Sequence, residues 1–221
     1  MRLVVFDCDG TLVDSQRTII SATEGTLNAF AVPPPPRRDI LYAVGLPIEV
    51  AMRRHAPNVS DAVLENIVAE FKVLYHDLSQ QMDKGQIMYP NTRDLICDLA
   101  AIPDTLLAIV TMKSRRGLER VVDVYEIGDF FHSLKTADDG VGKPAPDLLL
   151  AAMAECGVDA ADTIMVGDTS FDMLMAKAAG TKAYGVAWGY QDVDELQEAG
   201  ADAIADTPEA LRQLLDLPEA L

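Results

Sequence analysis

The chain holds few cysteines and few positive charges. Cys8, Cys97 and Cys156 are odd in number, widely spaced and without a CxxC pair. That spacing excludes a disulfide framework and makes a reducing compartment, the cytoplasm, the expected location. Eighteen lysines and arginines stand against 35 aspartates and glutamates, a formal net charge of −17. Nucleic acid and anionic membranes are therefore not expected as partners, because both are bound by clustered Lys and Arg. A phosphorylated substrate would have to be drawn in by a local cation. No run reaches the roughly 18 apolar residues of a membrane span, and no apolar leader region precedes the first strand. Internal repeats and disordered tracts are also missing.

What is present suits one medium domain, or a core with an insert. The chain has 221 residues, 49% hydrophobic and 24% charged. At that length roughly 70% of the extended surface can be buried, so neither disulfide nor metal is needed as a staple. Short apolar runs read as strands: LVVF (3–6), LLAIV (106–110), TIMVG (163–167), AYGVA (183–187) and DAIA (202–205). Helical periodicity covers 92–100, 114–124, 146–156, 170–179, 193–199 and 208–215. Such alternation predicts an α/β fold, a Rossmann-like parallel sheet with helices on both faces. Ligands in these sheets sit beyond the carboxyl ends of the strands. Asp7, Thr111 and Asp168 all stand at predicted strand ends.

Residues 16–86 interrupt the alternation with helices alone. In 61–80, Leu64, Ile67, Val68, Phe71, Leu74, Tyr75 and Leu78 repeat at helical spacing and read as a core face. The four prolines 33–36 are expected to end the preceding helix, since proline lacks the amide and disfavours helix in its predecessor. An α-helical cap, 16–86, is thus expected to be inserted into a core built from 1–15 and 87–221.

The residues that could carry chemistry fall in four pieces: Asp7-Cys8-Asp9-Gly10-Thr11, Thr111, Lys143 in GKPAPD, and Gly167-Asp168-Thr169-Ser170-Phe171-Asp172. In this order they resemble the motifs of the haloacid dehalogenase superfamily of phosphohydrolases, and the helical insert resembles that superfamily's small cap. DGTLVDS with TMKSRRGLERVV is most similar to the phosphoglycolate phosphatase-like branch. The resemblance implies a phosphatase acting on a small phosphorylated metabolite, as monomer or homodimer. A sugar-phosphate mutase of the β-phosphoglucomutase kind shares the same acids and stays open. A dehalogenase fits less well, since those enzymes lack the second acid at Asp9. A signalling receiver domain carries its acceptor acid on a later strand and is only about 120 residues long.

The residue chemistry stands beside that resemblance. Two carboxylates one residue apart repel unless a cation or proton intervenes. Oxygen ligands suit Mg2+, with Asp7 and Asp168 giving carboxylates and Asp9 its main-chain carbonyl. Strand alternation turns Asp7 and Asp9 to one side and Cys8 to the other. Asp7 can then be the nucleophile that forms an aspartyl-phosphate. Asp9 is expected to be the acid and base, with neighbouring negative charge favouring the proton it must carry. Gly10 lets the chain turn so that amides can face the phosphoryl oxygens. Thr111, the Met112 amide and Lys143 would bind phosphate, and Asp172 would act behind the metal or Lys143.

Each has a plainer reading. A lone strand-end Thr usually packs, and a lone loop Lys is usually solvated. Asp168 and Asp172 could cap the following helix, and Cys8 reads as a packed thiol. An EF-hand loop fails, with Leu12 where Gly belongs and Thr18 where Glu belongs. Asp14 and Ser15 read as cap or hinge residues without a chemical role. Met112 departs from the small or amide residue that often follows the threonine, and its side chain would put an apolar wall near the substrate. GLP at 45–47, with Arg53 and Arg54, is a candidate contact region for the substrate.

Overall fold

The structure, a computed structural model, describes residues 1–81 and 87–216. Along the chain run β1 (Arg2–Phe6), β2 (Val13–Asp14), α1 (Gln16–Ala29), α2 (Arg37–Tyr42), α3 (Ile48–His55) and α4 (Asp61–Gln81). There follow β3 (Ile87–Met88), α5 (Thr92–Ala100), β4 (Thr105–Val110), α6 (Arg115–Val124), β5 (Ser133–Lys135) and α7 (Asp147–Cys156). The chain ends with β6 (Thr163–Gly167), α8 (Ser170–Ala179), β7 (Lys182–Val186), α9 (Val193–Glu198), β8 (Ala203–Ala205) and α10 (Pro208–Leu214).

Six strands form one sheet in the order β5-β4-β1-β6-β7-β8, and every pairing in it is parallel. The near-continuous apolar runs follow from this, because both faces are covered. Val4 and Phe6 pack with Leu107, Ile109 and Val166 on one face, beneath α5, α6 and α10. Leu3 and Val5 pack with Ala108, Val110 and Met165 on the other, beneath α7, α8 and α9. The strand order reverses at β1, so the ends of β4, β1 and β6 lie side by side, where such sheets hold their ligands.

Helices α1, α3 and α4 build a separate apolar cluster that includes Ala22, Leu27, Met52, Ile67, Val68 and Phe71, while Ile40 of α2 packs with Ile19 and with Tyr190 of the core. The seven apolar positions read on α4 all pack into it. The expected boundary at residue 86 lies outside the described residues. The chain leaves β1 and returns to α5 through β2 and β3, which pair antiparallel.

Two expectations need correcting. α1 ends at Ala29, ahead of the prolines. Ala31 turns the chain at φ +55°, with its amide bonded to the Asn28 carbonyl and that of Val32 to Leu27. That is a Schellman stop, which acts before the prolines are reached. Pro36 instead stands at the start of α2. β5 was not foreseen, because SLK is a short edge strand with no apolar run.

Candidate active site

The three central strands deliver Asp7, Thr111 and Asp168 to one place. Asp7, Asp168 and Asp172 are buried, and a carboxylate oxygen from each lies within 4.8 Å of the others. Asp168 is held on both sides: Oδ1 accepts from Thr11 Oγ1 at 2.8 Å and Oδ2 from the Tyr190 amide at 2.9 Å. Asp172 sits at the third residue of α8, where Oδ2 accepts from the Thr169 amide and hydroxyl in a capping box. Thr169, not Asp168, caps that helix.

Lys143 is buried between two of these acids, its Nζ 2.7 Å from Asp7 Oδ1 and 2.6 Å from Asp172 Oδ1. The angles fall outside hydrogen-bond geometry, so Lys143 Nζ, Asp7 Oδ1 and Asp172 Oδ1 are buried without a hydrogen bond among the described residues. Burial pushes the Asp7 carboxyl up to about 6; Lys143 opposes the rise, and Asp172 and Asp9 add to it. Burial likewise lifts Asp168 well above the carboxylate range, with Asp7 and Asp172 adding to the rise. For Lys143, burial works against the ammonium, and Asp172 and Asp7 more than offset it.

Three acids around one ammonium leave a buried excess of negative charge. A divalent cation with oxygen ligands fits this donor set, because it removes the excess without adding bulk. The Asp9 carbonyl accepts no hydrogen bond among the described residues and is therefore free to serve as a further ligand.

Asp9 has different company from that expected. The charged group in contact with it is a cation, Lys113, whose Nζ lies 2.8 Å from Asp9 Oδ1. Ser15 Oγ donates to the same oxygen, and Ser15 stands at the N-cap of α1, as its reading as a cap residue expects. The Ser15 amide in turn donates to Tyr190 Oη at 2.9 Å. Both contacts fall on Oδ1, and Oδ2 carries no hydrogen bond among the described residues. Lys113 also donates to Tyr75 Oη at 2.9 Å, so the stripe on α4 ends in a polar contact with the sheet. Burial works against the Lys113 ammonium, and Asp9 and Tyr75 more than offset it.

Lys113 and Tyr75 were missed. The signal for Lys113 was its place two residues beyond Thr111, on the same side of an extended chain. Tyr75 offered none, since its spacing is that of core packing.

The remaining predicted residues fall as follows. Thr111 is buried; its Oγ1 accepts from the Lys113 amide at 3.2 Å and keeps its own proton to donate. The Gly10 amide donates to the Val13 carbonyl, so that amide does not face a ligand. What Gly10 contributes is room: at φ +88° a Cβ there would lie 2.1 Å from Asp168 Oδ2. Gly189 is as tight, a Cβ meeting the Asp168 Cβ at 2.1 Å. Cys8 packs with Val4 and Phe6 on the apolar side.

A cavity of about 450 Å3 lies between these residues and α1 to α4, with Asp9, Met112 and Lys113 on its wall. GLP at 45–47 lines it as well. Arg53 and Arg54 do not: Arg53 pairs with Asp61, and the Arg54 guanidinium lies over the Phe171 ring. No helix among the described residues is long and apolar enough to cross a membrane.

Comparison with known proteins agrees with this geometry. A family model described as "Haloacid dehalogenase-like hydrolase" matches residues 4–186. A Dickeya dadantii protein named "Probable phosphatase IndB" is 35% identical over 207 residues, 93% of this chain and 89% of that protein. A Pseudomonas putida protein named "Phosphoglycolate phosphatase" is 31% identical over 218 residues, 95% of this chain and 78% of that one. The crystal structure of a hydrolase from Pseudomonas syringae superposes with a TM-score of 0.86 at 26% identity, covering 98% of each chain. A sheet that gathers these acids, read with those relatives, has one meaning: the chain belongs to the haloacid dehalogenase-like hydrolases, in their phosphoglycolate phosphatase-like branch.

Proposed function

We propose that the protein is a Mg2+-dependent phosphatase that hydrolyses a small phosphomonoester through an aspartyl-phosphate. The observation that carries this reading is the division of labour between the two acids of β1's end. Asp7 faces Lys143 within the acid cluster, and Asp9 faces Lys113 at the cavity wall.

With its carboxyl near 6, Asp7 is largely ionised at neutral pH and can act as the nucleophile. An Asp7 oxygen bonds to phosphorus as the bond from phosphorus to the ester oxygen breaks. Asp9, through its unengaged Oδ2, gives that oxygen its proton. Asp9 then takes a proton from water as the water oxygen attacks phosphorus, and the Asp7–phosphorus bond breaks to free orthophosphate. Thr111 and the Met112 amide donate to the phosphoryl oxygens, and Lys143 adds a charge held in place by Asp172. Mg2+, held by Asp7, Asp168 and the Asp9 carbonyl, would neutralise the cluster and polarise the phosphoryl group.

Phosphoglycolate is the first substrate to test, on the strength of the relative's name. The three free thiols support a reducing compartment such as the cytoplasm. The division into core and cap, with α1 to α4 as the cap, belongs to the same reading and is supported by the separate apolar cluster of α1, α3 and α4. Partners beyond a small metabolite, assembling as monomer or homodimer, are not required by it. A phosphomonoester panel with and without Mg2+ tests the proposal. Orthophosphate should appear only with the metal, and Asp7→Asn should stay folded and lose about a thousandfold or more in kcat. Full turnover in that variant, or migration of phosphate within the substrate in place of its release, would defeat it.

A further inference from the structure

The cavity above Asp9 is poorly matched to a two-carbon acid. Its volume of about 450 Å3 lies in the range of pockets that enclose ring-bearing ligands. Its wall toward α2, α3 and α4 carries an apolar patch of Val44, Leu46, Met52 and Phe71, with Glu49, His55, Lys72, Tyr75, His76 and Ser79 at its edges. Met112 closes the sheet side and lies over Gly142 near Pro47: a Cβ on Gly142 would lie 2.5 Å from Met112 Cε and 3.0 Å from Pro47 Cγ.

Cations able to take a substrate carboxylate are scarce on that wall. Lys113 is occupied by Asp9 and Tyr75, and Lys72 is paired with Glu49. Arg116 is exposed to solvent. His55, buried on the wall, has no hydrogen bond among the described residues. Burial pulls its imidazole below the ordinary histidine range, against the pull of Asp39, so at neutral pH it offers a neutral polar group.

We propose that this cavity takes the organic half of a phosphomonoester whose alcohol is uncharged, ring-bearing and apolar-faced, seated against Met112, Val44, Leu46, Met52 and Phe71. His55 receives a polar substituent at the far side of the ring. The proposal rests on the phosphatase reading above and replaces phosphoglycolate as the preferred substrate. Burying a ring gives binding that a carboxylate in the same apolar space forgoes, and leaving the carboxylate unpaired there adds a penalty.

The test is kcat/KM of the full chain with Mg2+ for 2-phenylethyl phosphate, phosphoglycolate and glucose 6-phosphate. The phenylethyl ester should lead by about tenfold or more, mainly through KM. Met112→Asn should raise KM for that ester about fivefold and change kcat less. A melting curve checks that the variant is folded, and Val44→Asn serves the same purpose if it is not. Equal or better use of phosphoglycolate, with Arg116→Ala abolishing it, overturns the proposal and leaves the phosphatase reading standing. So does a lead for glucose 6-phosphate. Orthophosphate from none of the three esters overturns both.

Discussion

Below the cavity, Asp7, Asp9, Asp168 and Asp172 crowd around Lys113 and Lys143; above it, α3 and α4 present Met52, Phe71 and a neutral His55. The lower layer is charged, mutually paired and fixed at strand ends. The upper layer is apolar at Met52 and Phe71 and polar at its edges, and a polar contact with the lower one runs through Tyr75. Charge positioned on rigid elements suits the handling of phosphate, which every substrate shares. Shape and apolar area suit the part of the substrate that varies. The two layers meet at Lys113, and the sharpest experiments act there.

The largest effect is expected from Lys113→Met. It leaves Asp9 part-buried beside Ser15 without its ammonium, and Tyr75 without its donor partner. Breaking a largely buried pair in this way costs on the order of 2–3 kcal/mol of stability. Turnover should fall about a hundredfold through kcat, because the proton donor is no longer held in place. Denaturant melts and steady-state kinetics read the two separately. A loss confined to KM would assign Lys113 to the upper layer instead.

A middle-sized effect concerns the acid cluster alone. The ordinary aspartate value of 3.8 rises to about 6 for Asp7, chiefly through burial. The folded protein therefore holds a proton there more tightly than the unfolded chain does. The associated stability is complete below the unfolded value and is lost as pH climbs through the folded one. Without metal, the Asp7 carboxyl should thus make the protein more stable to melting near about pH 5 than near about pH 7.5 by roughly 1.4 kcal/mol, part of the loss being already complete at the lower pH. Mg2+ should remove most of that difference, and Asp7→Asn should reduce it, with Asp168 carrying the remainder. A metal-free protein equally stable at both values would contradict the burial of uncompensated charge.

The smallest effect lies outside both layers. Ala31 carries a side chain where φ is +55°, at the stop of α1. Ala31→Gly should stabilise by about 0.5–1 kcal/mol and leave kinetics unchanged, as read from denaturant midpoints. Because this change spares both layers, it calibrates how far stability alone moves activity.

The lower layer was largely legible in the sequence. β1, β4 and β6 are uniform apolar runs ending in Asp7, Thr111 and Asp168, and parallel topology brings such ends together. The upper layer was legible only as helix. Phe71 and Tyr75 share one apolar repeat with Ile67 and Val68, and spacing does not distinguish a residue that packs from one that also faces a cavity. Lys113 was hidden for another reason. Its meaning comes from Asp9 and Tyr75, 104 and 38 residues away, and no local pattern reports such distant partners.

Asp168 sits in a vise whose jaws are Gly10 and Gly189, each too close for even a methyl group. The address of an acid proposed to hold the metal is thereby specified by missing atoms. Alanine at either position would evict the carboxylate while leaving every charged residue of the site in the sequence. Inspection of reactive groups alone would call such a protein intact, although its chemistry had lost its seat.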